Sequence, residues 1–196
     1  VPRLEINKLY KSFSKVKVVN GISFTIAPGQ VTCLLGPSGC GKSTTLRMIA
    51  GVEKSDKGDI LVDGIVVSSE TVNSPPESRS VGLIFQDFAL FPHLNVYDNV
   101  AFGLKETGEY KKNRVNELLK RVGLKNFSFK YPHQLSGGEQ QRVALIRALA
   151  PKPKMMLMDE PFSGLDDRLR DEIRDETLSV LREEGTAVLL VTHDPY

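Results

Sequence analysis

The feature that most narrows the possible folds is the octapeptide Gly36-Pro37-Ser38-Gly39-Cys40-Gly41-Lys42-Ser43, set between an apolar run and a helical pattern. Residues 31–35 (VTCLL) predict a buried strand that leads straight into the glycines. Ser43 to Ala50 carries helical spacing, with Leu46, Ile49 and Ala50 on one side and Gly51 as the stop signal. A strand, a glycine loop and a helix in that order form the G-x-x-x-x-G-K-[ST] phosphate loop. Glycines let the backbone wrap close to phosphate oxygens, where a Cβ would collide, and successive N–H groups point into the concavity. The positive end of the following helix adds to the attraction. Lys42 is then the cation that reaches the β- and γ-phosphates of a nucleoside triphosphate, and the Ser43 hydroxyl is a ligand for Mg2+. Thr44, next in line, is counted with the phosphate-binding residues. A glycine-rich turn with an incidental lysine would not need the strand and helix that flank it.

The rest of the chain supports an α/β fold. Residues 22–26 (ISFTI) alternate as a half-buried strand does, and Ala27-Pro28-Gly29 turns the chain. Residues 60–62 and 65–67 flank Asp63-Gly64, a hairpin signal of the type I′ kind. The stretch from Ser68 to Ser80, with Pro75-Pro76, reads as a loop. Further buried strands are expected at 81–85, 155–158 and 188–192. Helices are expected at 111–123, from Ser136 to Ala150, and from Leu165 to Glu184. Short apolar runs alternating with helices predict a mostly parallel sheet with helices on both faces. The early alternating strands predict an antiparallel addition. Residues 90–150 lack a convincing strand and read as an inserted helical lobe. The 196 residues suit one domain carrying such a lobe.

Composition excludes several function classes. Lys plus Arg is 26 and Asp plus Glu is 24, so no basic excess points to nucleic acid as a partner. The longest apolar runs are short, such as Ala187 to Val191, far below the ~18–20 residues of a membrane span. Docking on a membrane protein stays open. No signal peptide opens the chain, and Val1 in place of an initiator Met suggests a processed or trimmed start. Cys33 and Cys40 are expected as reduced thiols.

Met155 to Met158 run into Asp159-Glu160-Pro161, which places two carboxylates at the end of a buried strand, where ligands bind in open α/β sheets. Alone, such a pair marks a strand end. With a phosphate loop upstream, Asp159 becomes the partner of Mg2+ and Glu160 the general base that polarises the attacking water.

Leu135-Ser136-Gly137-Gly138-Glu139-Gln140 is by itself a helix N-cap with an acidic first turn. Combined with the loop and the acidic pair, it resembles the signature of the ATP-binding cassette ATPases. The resemblance runs from about Leu4 to Tyr196, with its parts in the family's order. Phe13 falls where the family has an aromatic residue stacking on adenine, and Gln86 where a glutamine contacts Mg2+ and the membrane partner. Ser163-Gly164-Leu165-Asp166 matches the dimer-contact loop, and His193 matches the switch histidine at the γ-phosphate. On their own, Phe13 would pass for core, Gln86 for a solvated strand end and His193 for a structural histidine. The resemblance implies a P-loop NTPase core with an N-terminal antiparallel β-subdomain and an inserted helical lobe. It also implies ATP and Mg2+, and two copies packed head to tail. The phosphate loop of one copy would then face Ser136, Gly137, Gly138 and Glu139 of the other.

Residues 85–94 (FQDFALFPHL), Tyr131-Pro132-His133-Gln134 and residues 160–166 look like the importer type, and most like the ferric-iron import ATPases. Polyamine, phosphonate, sulfate and sugar importers stand close behind. Phe88, Leu90, Phe91 and Leu94 form an apolar cluster that reads either as lobe core or as a socket for a permease helix. The implied setting is peripheral, on the cytoplasmic face of a bacterial inner membrane. The partners would be permease subunits docking near Gln86–Leu94 and, indirectly, an extracytoplasmic solute-binding protein. Family members continue past the switch histidine, so the end of the cassette and any regulatory domain are expected to be missing here. The rivals explain less. A DNA-repair cassette carries long heptad insertions, a translation cassette is usually doubled, a non-hydrolysing subunit would not need Glu160 and His193, and a nucleotide kinase has no use for Ser136-Gly137-Gly138.

Overall fold

The computed structural model describes residues 1–163, 165 and 167–193. It divides into two compact units. The first comprises Val1–Leu83, Lys154–Glu160 and the stretch from Gly185, and the second comprises Ile84–Pro153 and Pro161–Glu184.

In the first unit the elements follow one another as β1 (Leu4–Phe13), β2 (Val16–Ile26), β3 (Val31–Leu35), α1 (Lys42–Ala50), β4 (Lys57–Val62), β5 (Ile65–Ser68), β6 (Val81–Ile84), β7 (Met155–Asp159) and β8 (Ala187–Thr192). They build two sheets. One has the order β2-β1-β4-β5 and antiparallel pairing, and the other has the order β3-β8-β7-β6. The β3–β8 and β7–β8 pairs are parallel. Leu4, Ile6 and Leu9 of β1, Leu46 and Ile49 of α1, Leu157 of β7 and Leu189 of β8 share one buried cluster. The glycine loop lies on the connection between β3 and α1. Asp63 and Gly64 take φ of 51° and 76°, the left-handed pair that a type I′ hairpin needs.

β1 escapes the sequence reading because its alternation breaks. The register shifts between Ile6 and Leu9, and Lys8 has φ 46°, so a bulge moves Leu9 out of the period-2 pattern while keeping it buried. β3 corrects an expectation. Leu34 packs on the core, but Cys33 and Leu35 are exposed. The strand lies at the edge of its sheet among the described residues.

α1 ends where the sequence placed its stop. Gly51 has φ 84° and its N–H bonds back to Met48 O. A Cβ there would lie 2.6 Å from Arg79 Nε. Arg79 is 1% exposed. It donates through Nη1 to Met48 O at 2.8 Å and Ile49 O at 3.1 Å, and through Nε to Ser74 O at 2.8 Å. Its Nη2 reaches Asn73 Oδ1 at 2.9 Å. A cation at the negative end of a helix, bonded to its orphan carbonyls, ties the 68–80 loop to α1. Arg79→Met leaves those carbonyls buried and unpaired, and its expected cost is roughly 3–5 kcal/mol, read as a lower midpoint in urea unfolding.

The second unit holds α2 (Val96–Ala101), α3 (Gly108–Arg121), α4 (Gly137–Leu149) and α5 (Asp167–Glu183). α5 starts two residues later than expected from the sequence. Residues 90–150 contain helices and short 3-10 turns but no strand. The Val115, Leu118, Leu119 and Val122 stripe is buried. Arg114, 5% exposed, donates to Leu149 O at 3.1 Å and to Glu184 Oε2 at 3.0 Å. Arg121 also bonds Glu184, so one carboxylate joins α3 to the end of α5. Burial alone would raise the Glu184 pKa. The Arg114 hydrogen bond and charge, with Arg121 behind them, outweigh it and hold the carboxyl below the usual range. The folded state therefore gains stability from ionised Glu184 above the unfolded pKa and loses it as pH falls through the depressed folded value. In acid unfolding, Glu184→Gln is expected to flatten the loss of stability below about pH 4. An unchanged profile would count against this linkage.

Candidate nucleotide site

β3 delivers the chain to Gly36, and α1 begins at Lys42 after Gly41. Gly41 has φ 91°, and a Cβ there would lie 2.3 Å from Val18 O. No other residue fits, because both the angle and the close approach of β2 exclude a side chain. The Lys42 ammonium folds back over the loop, 2.5 Å from Gly36 O and 2.8 Å from Pro37 O. Cys40 Sγ lies 3.7 Å from the same ammonium. Thr45 closes the first turn by donating its hydroxyl to Gly41 O at 2.9 Å. A groove of about 370 Å³ opens beside the loop, lined among others by Val18, Val19, Cys40, Lys42 and Thr45.

The fold brings together residues that the sequence separates by more than a hundred positions. Ser43 Oγ donates to Asp159 Oδ1 at 2.8 Å, because α1 starts beside the end of β7. This pair offers hard oxygen ligands of the kind that Mg2+ takes. Among the described residues no cluster of three His, Cys, Asp or Glu side chains could hold a metal unaided.

Glu160 directly follows β7 and has φ 47°, while its N–H still pairs with Val191 O at 2.9 Å. A left-handed glutamate costs about 1 kcal/mol or more, and such strain gathers at functional sites. His193, just past β8, meets it, with Nδ1 2.8 Å from Glu160 Oε1. A carboxylate only accepts, so the imidazole is the donor.

Phe13 stands at the tip of the β1–β2 hairpin, 44% exposed, with the Lys11 ammonium 4.9 Å from the ring centroid. It is therefore available as a platform, and it is not part of the groove lining. In the second unit Ser136 caps α4. It accepts from Glu139 N at 3.3 Å, while Glu139 Oε2 accepts from Ser136 N at 2.8 Å. Gly137 and Gly138 form the first turn. Gln86 Nε2 donates to Ser163 Oγ at 3.3 Å. Leu165 is buried. Gly164 and Asp166 lie outside the described residues.

Phe88, Leu90, Phe91 and Leu94 are half-buried. Three residues that the sequence reading passed over shape their loop. Arg147 donates to Ala89 O at 2.8 Å and Phe88 O at 3.0 Å and lies over the Phe91 ring. Asn99, fully buried, donates to Phe91 O and Leu94 O and accepts from Phe91 N. Phe102, 64% exposed, sets its ring 4.5 Å from that of Phe91. Asn99 was detectable as a polar residue at an apolar position of α2, whereas Arg147 and Phe102 carry no local signal.

Cys33 and Cys40 are both free and exposed. Partial burial and the Glu160 carboxylate push the Cys33 thiol up, which lowers its thiolate fraction. MgATP is expected to slow maleimide labelling of Cys40 severalfold. Cys33 labelling should stay slow at neutral pH and rise as the pH is raised. Equal Cys40 rates with and without nucleotide would remove Cys40 from the nucleotide contact.

The ABC transporter family model matches residues 19–163. The chain is 45% identical over 196 residues to the Fe(3+) ions import ATP-binding protein FbpC 2 of Haemophilus influenzae, covering 98% of this chain and 55% of that protein. It is 46% identical over 196 residues to the putrescine transport ATP-binding protein PotG of Escherichia coli K12, covering 98% of this chain and 51% of that protein. The chain thus spans about half the length of the curated relatives it matches. Among solved structures, CbiO1 of Clostridium perfringens, described as part of the ABC transporter complex CbiONQ, superposes with a TM-score of 0.86 at 32% identity. That match covers 98% of this chain and 79% of that one.

Proposed function

The chain belongs to the ABC transporter family, and we propose that it is the ATP-hydrolysing part of an importer's nucleotide-binding subunit. The observation that carries this reading is the pair of contacts at the ends of β7 and β8, Ser43 with Asp159 and Glu160 with His193. One pair is built to meet metal and phosphate, the other to move a proton.

Lys42, now bonded to its own loop carbonyls, exchanges them for β- and γ-phosphate oxygens when ATP enters. Loop N–H groups take the remaining phosphate charge. Ser43 and Asp159 are the residues that would hold Mg2+, which supplies charge neutralisation at the transferred phosphate. Glu160 takes the proton from the attacking water, and His193 keeps its carboxylate oriented. Phe13 stacks on the base. Ser136, Gly137 and Gly138 of a second copy cap the γ-phosphate from the other side, since a helix start attracts anions. Ser163 to Asp166 belong to the same dimer contact. Hydrolysis removes the bridging phosphate and shifts the population toward separated copies.

The apolar loop from Gln86 to Leu94 is the site for a permease helix, so the chain would sit peripherally on the inner face of a bacterial membrane. Among the described residues no helix is long and apolar enough to cross it. The names of similar proteins support ferric iron as the solute, with polyamines as the alternative. Reconstituting the full-length protein with its co-purified permease in vesicles tests this. ATP-dependent uptake of ferric iron and not putrescine is expected. Uptake of putrescine alone would move the solute, and ATP turnover indifferent to the permease would sink the transport reading.

A further inference from the structure

The connection between α3 and α4 carries a surface that the nucleotide site does not use. From Leu118 to Gly138 the chain holds no Asp or Glu but contains Lys120, Arg121, Lys125 and Lys130. Arg121 is engaged by Glu117, Glu183 and Glu184. The three lysines enter no ion pair among the described residues. Lys120 and Lys125 line one groove of about 490 Å³ together with Asn113, Asn116, Leu119 and Glu117. Glu117, the one carboxylate there, is itself turned to Arg114 and Arg121.

Just past Lys125 in the chain, three aromatic residues alternate at 127, 129 and 131. Phe129 is 86% exposed and Tyr131 40%. Their backbone is not a loose tail. Ser128 O accepts from Tyr97 N at 3.0 Å, Lys130 O accepts from Val96 N at 2.8 Å, and Lys130 N donates to Phe127 O at 3.0 Å. The Lys130 ammonium stands 3.8 Å from the Phe127 ring centroid. A pinned segment that holds a phenylalanine in water, beside cations that enter no ion pair among the described residues, is built to meet a surface that is anionic outside and apolar beneath.

We propose that the Lys120–Tyr131 face docks on the anionic headgroup layer of a phospholipid bilayer. Phe129 enters the boundary between headgroups and acyl chains, and Lys120, Lys125 and Lys130 meet lipid phosphates. Aromatic rings next to lysines favour that boundary. A second copy presenting the same face would set like charges against like charges, and an apolar protein groove would leave the lysines unmatched. The inference stands on this surface alone and does not depend on the nucleotide site.

The test is sedimentation of the chain, without nucleotide, with vesicles of phosphatidylcholine or of equal parts phosphatidylcholine and phosphatidylglycerol. Binding to the mixed vesicles only, released by salt, is expected. Replacing all three lysines by glutamine should weaken it about tenfold or more. Phe129→Ser should weaken it as well, with the melting temperature and ATP affinity unchanged. The emission of Phe129→Trp should move to the blue with mixed vesicles alone. Equal binding to both vesicle types, no binding, an unmoved emission, or a Phe129→Ser protein that binds like the parent would each overturn the proposal. Self-association without vesicle binding would also overturn it and assign the face to a second copy. ATP affinity measured on the same samples keeps this outcome separate from the nucleotide reading.

Discussion

Glu160→Gln is expected to lower ATP turnover by about 10²–10⁴-fold, the usual contribution of a positioned general base, while ATP still binds. The amide keeps the size of the side chain and one oxygen facing His193, so the 2.8 Å contact and the left-handed turn at residue 160 have no reason to relax. Only the basicity is lost. Ser43 and Asp159 are untouched, so Mg2+ and the phosphates are expected to sit as before. With hydrolysis blocked, the γ-phosphates are expected to remain as bridges between copies. The variant should run as a dimer with MgATP and as a monomer without it in size-exclusion chromatography with light scattering. Adding Ser136→Arg should return it to monomer, because the new side chain occupies the place of the partner's nucleotide. Parental turnover in the Glu160→Gln protein would mean that another group is the base. A monomer with ATP bound would remove the head-to-tail arrangement.

Lys42→Ala is expected to weaken ATP binding by about 10²–10⁴-fold, since each hydrogen bond to a charged phosphate contributes roughly 1.5–3 kcal/mol and two are lost. The same ammonium bridges Gly36 O and Pro37 O in the ligand-free loop, so the variant loses an internal clamp as well as a ligand contact. Both carbonyls lie where water can reach them, so the fold should survive. Calorimetric titration with MgATP gives the affinity, and a thermal melt on the same sample gives the fold. Affinity close to the parent's would remove Lys42 from the phosphate contact and with it the assignment of the loop.

Much of this was legible because it is local. Gly36 to Ser43 announce the loop, since close backbone approach to phosphate demands glycine at fixed spacing. Gly51 announces the end of α1, Asp63-Gly64 the hairpin, and Ser136 with Glu139 the start of α4. In each the residues that make the contact lie within a few positions of one another. The four apolar runs announced strands for the same reason. β1 was missed because its bulge interrupts the alternation, and β3 was misjudged because exposure depends on what covers a strand.

The sequence by itself determined which groups are available: one lysine in a glycine loop, a serine hydroxyl, two adjacent carboxylates and a histidine after an apolar run. Only the tertiary structure decided that Ser43 meets Asp159 and that Glu160 meets His193. Those pairs depend on β7 and β8 lying side by side with α1 opening beside them, and parallel strands are neighbours in space only through long crossovers. Tertiary structure also decided that Arg79 closes α1 and that Arg147 and Asn99 shape the apolar loop. A long polar side chain finds its partners among carbonyls that carry no residue identity, so no sequence pattern marks them.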